Sequence, residues 1–183
     1  LTLSVEGAGS RIRFFDSQYY YNIVYQDGLY GDVKDGVFYE NLRPYDQARV
    51  TNKAELFDLN NVLTTDLSLA KTVVITSQKG RKFVFEVISL GGSLLGGRLT
   101  QIKDRNGYAV TLTYKTWTQL EIDASPNRQY QINTVTDPFS RTMIFSYDTT
   151  QVSGQWVVNS VTLPNSQVIN YTYSGGFLTN LAH

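Results

Sequence analysis

Apolar and polar residues alternate with a period of two through three separate stretches of the C-terminal half. Val110, Leu112 and Tyr114 alternate with Ala109, Thr111 and Thr113. Met143, Phe145 and Tyr147 alternate with Thr142, Ile144 and Ser146, and Ile169, Tyr171 and Tyr173 with Val168, Asn170 and Thr172. Successive side chains of a strand point to opposite faces, so each stretch predicts a half-buried strand with its aromatic and aliphatic set on one side. A turn precedes each one: Asp104-Arg-Asn-Gly107, Asp137-Pro-Phe-Ser140 and Leu163-Pro-Asn-Ser166. Asp at the first turn position can accept from the backbone ahead of it, Pro at the second presets φ, and Gly at the last tolerates unusual dihedrals. A shorter apolar-polar stretch leads into each turn, beginning at Leu99, Ile132 and Val158, and the pattern restarts at Leu178-Thr-Asn-Leu181. Each unit therefore reads as a β-hairpin.

Three copies and the start of a fourth make an internal repeat, whose single unit cannot bury its own apolar face and needs neighbours. The expected fold is all-β: stacked antiparallel β-hairpins forming a curved sheet or shell segment, with an apolar side and a Thr-rich side. The steps between copies shorten along the chain because two connections carry insertions. These are Thr116 to Gln131, with Trp117 and Ser125-Pro-Asn127, and Thr149 to Gln155. Insertions at loop tips cost little closure entropy. They place Trp117 and Trp156 beside exposed loops, where exposed rings are expected.

The first half shows no clear repeat. Leu1 to Val5, Arg11 to Phe15, Tyr19 to Tyr25, Val37 to Tyr39 and Thr72 to Thr76 read as strands, with Asp27-Gly28 and Asp35-Gly36 as hairpin-turn dipeptides. Asn52 to Asn60 is the only plausible helix. The Gly91 to Gly97 stretch marks a boundary or a hairpin tip. We therefore divide the chain into an irregular β-rich segment, 1–90, continuous with the sheet, and the hairpin repeats, 91–183.

The segments Gly97-Arg-Leu-Thr-Gln-Ile-Lys-Asp104-Arg-Asn-Gly107 and Val135-Thr-Asp137-Pro138, the latter running on to Ser146-Tyr147-Asp148, combine Gly-x-Leu, Asp-x-x-Gly and a later Tyr. This pattern resembles the YD repeat of the Rhs family, which includes polymorphic bacterial toxins, the B and C components of insecticidal toxin complexes, and the teneurins. Gly80-Arg-Lys-Phe-Val-Phe85 is similar to the strand that commonly precedes the first full repeat and reads as a worn copy of the unit. The resemblance covers about residues 72–183. Only Tyr147-Asp148 is a literal Tyr-Asp pair; the others are Tyr114-Lys115 and Tyr173-Ser174, while Ser140 and Ser166 replace Gly107, and Leu163 replaces Asp104. The resemblance makes Asp104, Gly107, Tyr114, Asp137, Tyr147, Asp148 and Tyr173 structural repeat residues. It implies a secreted or cell-surface protein whose β shell encloses a toxin cargo or makes cell contact. The implied partners are the remaining repeats of the same long chain, an enclosed toxin domain, or a cell-surface glycan or protein. No segment matches the family's self-cleaving region, so no protease residues follow.

Composition narrows the chemistry. At 183 residues the chain can bury a substantial core. Its 16 basic and 16 acidic residues cancel, and no Lys/Arg stripe forms. Nucleic acid and anionic membranes are therefore not expected partners. Thirteen Tyr and nine Phe favour strands. No apolar run is long enough to span a bilayer, and no signal peptide is present. The start at Leu1 and the stop at His183, inside the fourth unit, read as an excised piece of a longer protein. With no Cys, neither a disulfide framework nor a thiolate metal site is expected.

No enzyme is expected. His183 is the only His, so Ser-His-Asp, Cys-His and His-zinc chemistry lack their base or ligand. Gly92 to Leu99 approaches a phosphate loop, but Arg98 stands for the Lys, Leu99 for the Ser/Thr, and a strand follows. Asp27, Asp32 and Asp35 do not match calcium-loop spacing and are better read as turn formers. Glu121 with Asp123, and Glu40 with Asp46, are carboxylate pairs of the kind glycosidases use, but any chain this acidic offers such pairs. Asn170-Tyr-Thr172 is a glycosylation sequon only in a secreted eukaryotic protein. Neither a cofactor nor a metal is expected. The reading is a non-enzymatic structural segment. The alternative is a carbohydrate- or surface-binding β module that uses Trp117, Trp156, Tyr19, Tyr20 and Tyr21, because flat aromatic faces stack on sugars and anchor interfaces. Tyr25 and Tyr30 extend that cluster, with filling of the core face as its structural explanation.

Overall fold

A computed structural model describes residues 2–6, 11–15, 20–24, 31–34, 37–40, 53–66, 68–77, 79–89, 95–148 and 156–182, with side chains described from residue 53 onward apart from 95, 126 and 127. The chain forms two compact units, Leu1–Ala109 and Val110–His183. The protein is all-β, and every strand pairing described is antiparallel.

The first unit contains β1 (Thr2–Glu6), β2 (Arg11–Phe15), β3 (Tyr20–Val24), β4 (Gly31–Lys34), β5 (Val37–Glu40), β6 (Lys53–Phe57), β7 (Leu63–Thr64), β8 (Thr72–Thr76), β9 (Lys82–Ser89) and β10 (Leu95–Lys103). Its strands run β10-β9-β8-β6-β5-β4, with β7 beside β6, and β1 adds to the start of β10 and carries β2 and β3. β3 also approaches β5. The path from β5 through β6, β8, β9, β10, β1 and β2 to β3 thus returns close to β5, with β4 paired to β5 beyond it. Its core is built by alternate residues: Ala54 and Leu56 on β6, Val73 and Ile75 on β8, Phe83 and Phe85 on β9, and Leu99 on β10.

The expected helix over Asn52 to Asn60 is a strand and a turn instead: Lys53–Phe57 is β6, hydrogen-bonded to both β5 and β8. Ala, Glu and Leu favour helix locally, but Ala54 and Leu56 are 0% exposed at period-two spacing. Burial between two strands outweighs a propensity worth a few tenths of a kcal/mol per residue, ~0.5. The strands expected at Leu1 to Val5, Arg11 to Phe15, Tyr19 to Tyr25, Val37 to Tyr39 and Thr72 to Thr76 are present as β1, β2, β3, β5 and β8. Asp27-Gly28, Asp35-Gly36 and residues 91–94 of the Gly-rich stretch lie outside the described residues. β4 and β5 nevertheless pair with Lys34 opposite Val37.

The second unit contains β11 (Ala109–Tyr114), α1 (Gln119–Ala124), a 3-10 turn (Pro126–Tyr130), β12 (Ile132–Thr136), β13 (Thr142–Asp148), β14 (Val157–Thr162), β15 (Val168–Ser174) and β16 (Phe177–Ala182). Its strands follow chain order from β11 to β16. One face carries Leu112 opposite Val135, Val135 opposite Met143, Phe145 opposite Val161, Val161 opposite Ile169, and Tyr171 opposite Leu181. The other face carries Thr and Ser pairs, with Thr113 and Thr134 hydroxyls 2.7 Å apart and Thr136 and Thr142 hydroxyls 2.9 Å apart. Such cross-strand pairs stabilise a sheet by about 0.2–1 kcal/mol each. The two-faced sheet expected from the alternation is therefore present here. Burial is partial, with Val161 the one hydrophobic residue of this unit fully buried among the described residues.

One turn geometry recurs. The Asp104 N–H donates to Tyr108 O and the Gly107 N–H to Asp104 O; the same two bonds link Asp137 with Arg141 and Ser140, and Leu163 with Gln167 and Ser166. They also link Ser77 with Arg81 and Gly80, and Asp58 with Val62 and Asn61. The fourth residue is left-handed each time, with φ of 60° at Asn61, 78° at Gly80, 92° at Gly107, 64° at Ser140 and 66° at Ser166. This is the pattern of a type I turn closed by a left-handed residue. Asp carboxylates complete three of the five: Oδ1 of Asp58, Asp104 and Asp137 each accepts two backbone N–H groups ahead of it. Thus Gly80-Arg-Lys-Phe-Val-Phe85 follows a turn built like those of the repeats. Asp58–Asn61 is a further example with no visible repeat in its sequence.

Candidate functional site

The residues singled out in the sequence fall into two structural groups: an aromatic cluster on the insertion, and a set of tyrosines that close the hairpins. Residues 116–131 are folded, not an open loop. Thr118 caps α1, its Oγ1 accepting from the Glu121 N–H while the Glu121 carboxylate accepts from the Thr118 N–H and O–H. This reciprocal box is readable as Thr-x-x-Glu. Those bonds from the Thr118 hydroxyl and amide hold the Glu121 carboxyl below its ordinary pKa. Ser125-Pro126 ends the helix, since Pro disfavours helix in the residue before it. Asp123 accepts from the Gln119 side-chain amide at 2.8 Å. Both members of the Glu121 and Asp123 pair, which nothing in the sequence marked as catalytic, thus hold the helix together; in the other pair, Asp46 lies outside the described residues.

This folded insertion places Trp117 against Trp156. Their ring centroids are 4.9 Å apart at an interplanar angle of 67°, an edge-to-face contact. The Arg128 guanidinium, from the 3-10 turn, lies 5.5 Å from one ring centroid and 5.6 Å from the other. Aromatic pairs of this geometry contribute about 0.5–1.5 kcal/mol beyond burial, and a guanidinium over a ring about 0.5–2 kcal/mol. Both indole Nε1 atoms are buried without a hydrogen-bond partner among the described residues. The polar edges of the rings therefore point into the protein. The two tryptophans, expected to be exposed, are instead half-buried, because they pack on each other and on Arg128. The sequence flagged the two tryptophans but not that they meet, and it did not flag Arg128. The other insertion, 149–155, lies outside the described residues, as does Tyr19. Tyr20 and Tyr21 are in β3, with side chains outside the described set.

The repeat tyrosines act on the backbone. The Tyr147 hydroxyl donates to Ile132 O at 2.9 Å and the Tyr173 hydroxyl donates to Val158 O at 3.0 Å, each across 15 residues. Ile132 and Val158 are the opening residues of their units, so each tyrosine ties the end of a hairpin to its start. Burial raises the Tyr147 pKa above 10.0. Tyr114 lies opposite Ile132, and Asp148 lies opposite Val157.

A bulge accompanies each tyrosine. Register shifts fall between Thr113 and Tyr114, Ser146 and Tyr147, and Thr172 and Tyr173, leaving Asn133, Asn159 and Thr179 as the extra residues. A fourth shift, between β9 and β10, leaves Thr100 extra. These four are the second residues of the four units, always Thr or Asn. The Thr100 hydroxyl donates to Val84 O at 3.1 Å and the Thr179 hydroxyl donates to Thr172 O at 3.0 Å. A bulge leaves the ladder locally unpaired and increases strand twist. Repeating it at one position per hairpin adds twist at regular intervals. The signal was present in the sequence as the repeated Leu-Thr, Ile-Asn, Val-Asn and Leu-Thr pairs.

Between the turns at Asp137 and Leu163 lies an open depression of about 440 Å3 lined by Val135, Met143, Leu163 and Pro164 and by the Asp137–Arg141 ion pair, 2.6 Å. Burial opposes ionisation of Asp137, but bonds from the Arg141 amide and guanidinium and the Phe139 amide outweigh it and lower the carboxyl pKa. Among the described residues no three acidic, His or Cys side chains gather as a metal site, and no helix is long and apolar enough to cross a membrane. Asp27 and Asp35 lie outside the described residues. Compared with models of known protein families and with characterised proteins, the chain matches none.

Proposed function

We propose that this chain is a non-enzymatic structural segment of a larger Rhs/YD-type repeat protein, in which stacked hairpins form part of a β wall. The observation that carries this reading is the hydroxyl tie from Tyr147 to Ile132 and from Tyr173 to Val158, with a bulge at the same place in each unit. The tyrosine that defines the repeat in sequence thus has a structural task that involves no ligand. Enclosure of a toxin cargo, or contact at a cell surface, is the role such a wall would serve, and a secreted or surface location follows from the same resemblance. Stacked units of this kind gain stability mainly from their nearest neighbours. Native-state hydrogen exchange tests the reading: amide protection should fall in steps from β12 to β16, hairpin by hairpin. One uniform protection level across those strands would sink it.

The carbohydrate-binding alternative has weaker support, because Trp117 and Trp156 pack on each other and on Arg128. Titrating the chain with oligosaccharides while following tryptophan emission separates the two. No saturable change is expected; quenching that disappears in Trp117→Ala would favour the binding module.

A further inference from the structure

We infer that the rim of the first unit where the turn 77–80 meets the turn 104–107 is a binding surface for an acidic polysaccharide, a glycan chain carrying sulfate or carboxylate groups. It rests on neither the repeat reading nor the tryptophans. No basic run is visible along the chain, because the contributors come from two segments, Lys79-Gly-Arg-Lys82 and Lys103-Asp-Arg105. The fold brings them together. Lys82 opens β9 and lies directly opposite Lys103, which closes β10. The turns touch as well: a Cβ placed on Gly80 would lie 3.4 Å from the Arg105 Cβ. Lys79, Arg81, Lys82 and Arg105 are exposed, and Lys103 is half-buried.

Lys82 and Lys103 lie on the face opposite the core, because Phe83, the next residue on β9, is buried. Register continues their row through Thr76 on β8 to Lys53 on β6. At the usual strand spacing the row sets three lysines within about 14 Å. Like charges directly opposite each other destabilise a sheet unless something offsets them. The nearby acids are engaged elsewhere: Glu55 pairs with Lys53 at 3.5 Å, Glu86 pairs with Arg98 at 2.7 Å, and Asp104 Oδ1 accepts the Asn106 and Tyr108 N–H groups. Among the described residues, none of the cations at the two turns is in an ion pair. The neighbours select the class of anion. Asn106 and Tyr108 follow Arg105, adding an exposed amide and a ring 60% exposed, groups suited to sugar hydroxyls and sugar faces. Neither Lys79 to Lys82 nor Lys103 to Tyr108 contains an aliphatic side chain that would enter a bilayer. A single ring also falls short of the successive aromatics on which single-stranded nucleic acid stacks.

The test is calorimetric titration of the intact chain with a heparin octasaccharide. Binding should saturate, and it should vanish for the same sugar stripped of its sulfates. Raising salt from about 0.05 to 0.5 M should weaken it about tenfold, because screening shortens the reach of the charges. Lys82→Gln combined with Lys103→Gln should weaken it about tenfold, at about threefold per exposed charge. Lys71→Gln, which removes an exposed cation just before β8 at the far end of that strand, should leave it unchanged. The double variant should unfold at the same temperature as the parent or higher, since it removes an opposed like-charge pair. Should it unfold at a lower one, Arg105→Gln on the turn must still weaken binding about threefold. Absence of binding, an equal loss in Lys71→Gln, or no loss in Arg105→Gln would overturn the inference. So would equal affinity for a single-stranded oligodeoxynucleotide of matching charge, or for vesicles of phosphatidylcholine and phosphatidylserine in equal parts.

Discussion

The two units share one turn and differ in what their strands bury. In the first, Ala54, Leu56, Val73 and Phe85 are 0% exposed. In the second, the corresponding rows are half-buried, and Leu178 and Leu181 face outward. Local structure does not account for this, because the same pair of backbone bonds and the same left-handed residue close hairpins in both. The difference lies in coverage. The first unit brings β3 back near β5, whereas the second extends hairpin after hairpin to β16. A two-stranded unit forms its turn alone but buries its apolar face only when something lies over it.

The largest test of this contrast is truncation of equivalent phenylalanines. Phe85 lies two residues past Phe83 on β9, as Phe145 lies two past Met143 on β13. Phe85→Ala should cost about 3–5 kcal/mol, and Phe145→Ala about half as much, because less contact and less cavity are at stake. Urea denaturation midpoints measure both; equal costs would mean that the second unit has a core as dry as the first.

The left-handed position comes next. The first unit places Gly80 and Gly107 there, and the second places Ser140 and Ser166. A Cβ at Gly107 meets nothing within 4 Å, so the cost of Gly107→Ala comes from its φ of 92° alone. We expect a loss of about 1 kcal/mol for Gly107→Ala and a comparable gain for Ser140→Gly or Ser166→Gly, read from thermal midpoints. Loss of stability in the serine variants would show that their hydroxyls offset the backbone strain.

A smaller effect belongs to the tyrosine tie, which Val87 cannot make at the matching place on β9. Tyr147→Phe and Tyr173→Phe should each cost about 0.5–1.5 kcal/mol, with faster amide exchange at the hairpin they close. Unchanged exchange would reduce the hydroxyl bond to a bystander.

The smallest effect is electrostatic. Asp137 and Glu121 are both held below their ordinary pKa, so their contribution is present above pH 4.5 and lost as pH falls through their folded values. Tyr147 is shifted upward by burial, so its contribution is full below pH 10.0 and lost as pH rises through its folded value. Stability followed between pH 6 and pH 2 should decline, and Asp137→Asn should flatten part of that decline. An unaltered acid profile in the variant would assign the decline to other carboxylates.

Strand periodicity, turn chemistry and the two-faced sheet of the second unit were legible in the sequence, because a period of two and an Asp, Gly or Asn at a turn act over a few residues. The alternation from Val168 to Ser174 alone gives the exposed and half-buried order seen on β15. The tyrosines could be recognised as repeat residues, but their acceptors could not, since a hydroxyl finds a carbonyl 15 residues away only after a hairpin has set their spacing. Trp117 and Trp156 were conspicuous individually. Their contact through a folded insertion, with Arg128 over both rings, is a tertiary event.

Local rules failed at Lys53–Phe57, where helix-favouring residues became a buried strand. The chain itself determined where it turns and which residues share a face, because dihedral preference and side-chain alternation are properties of neighbouring residues. Tertiary structure decided how deeply each face is buried, because burial depends on what comes to lie across the sheet.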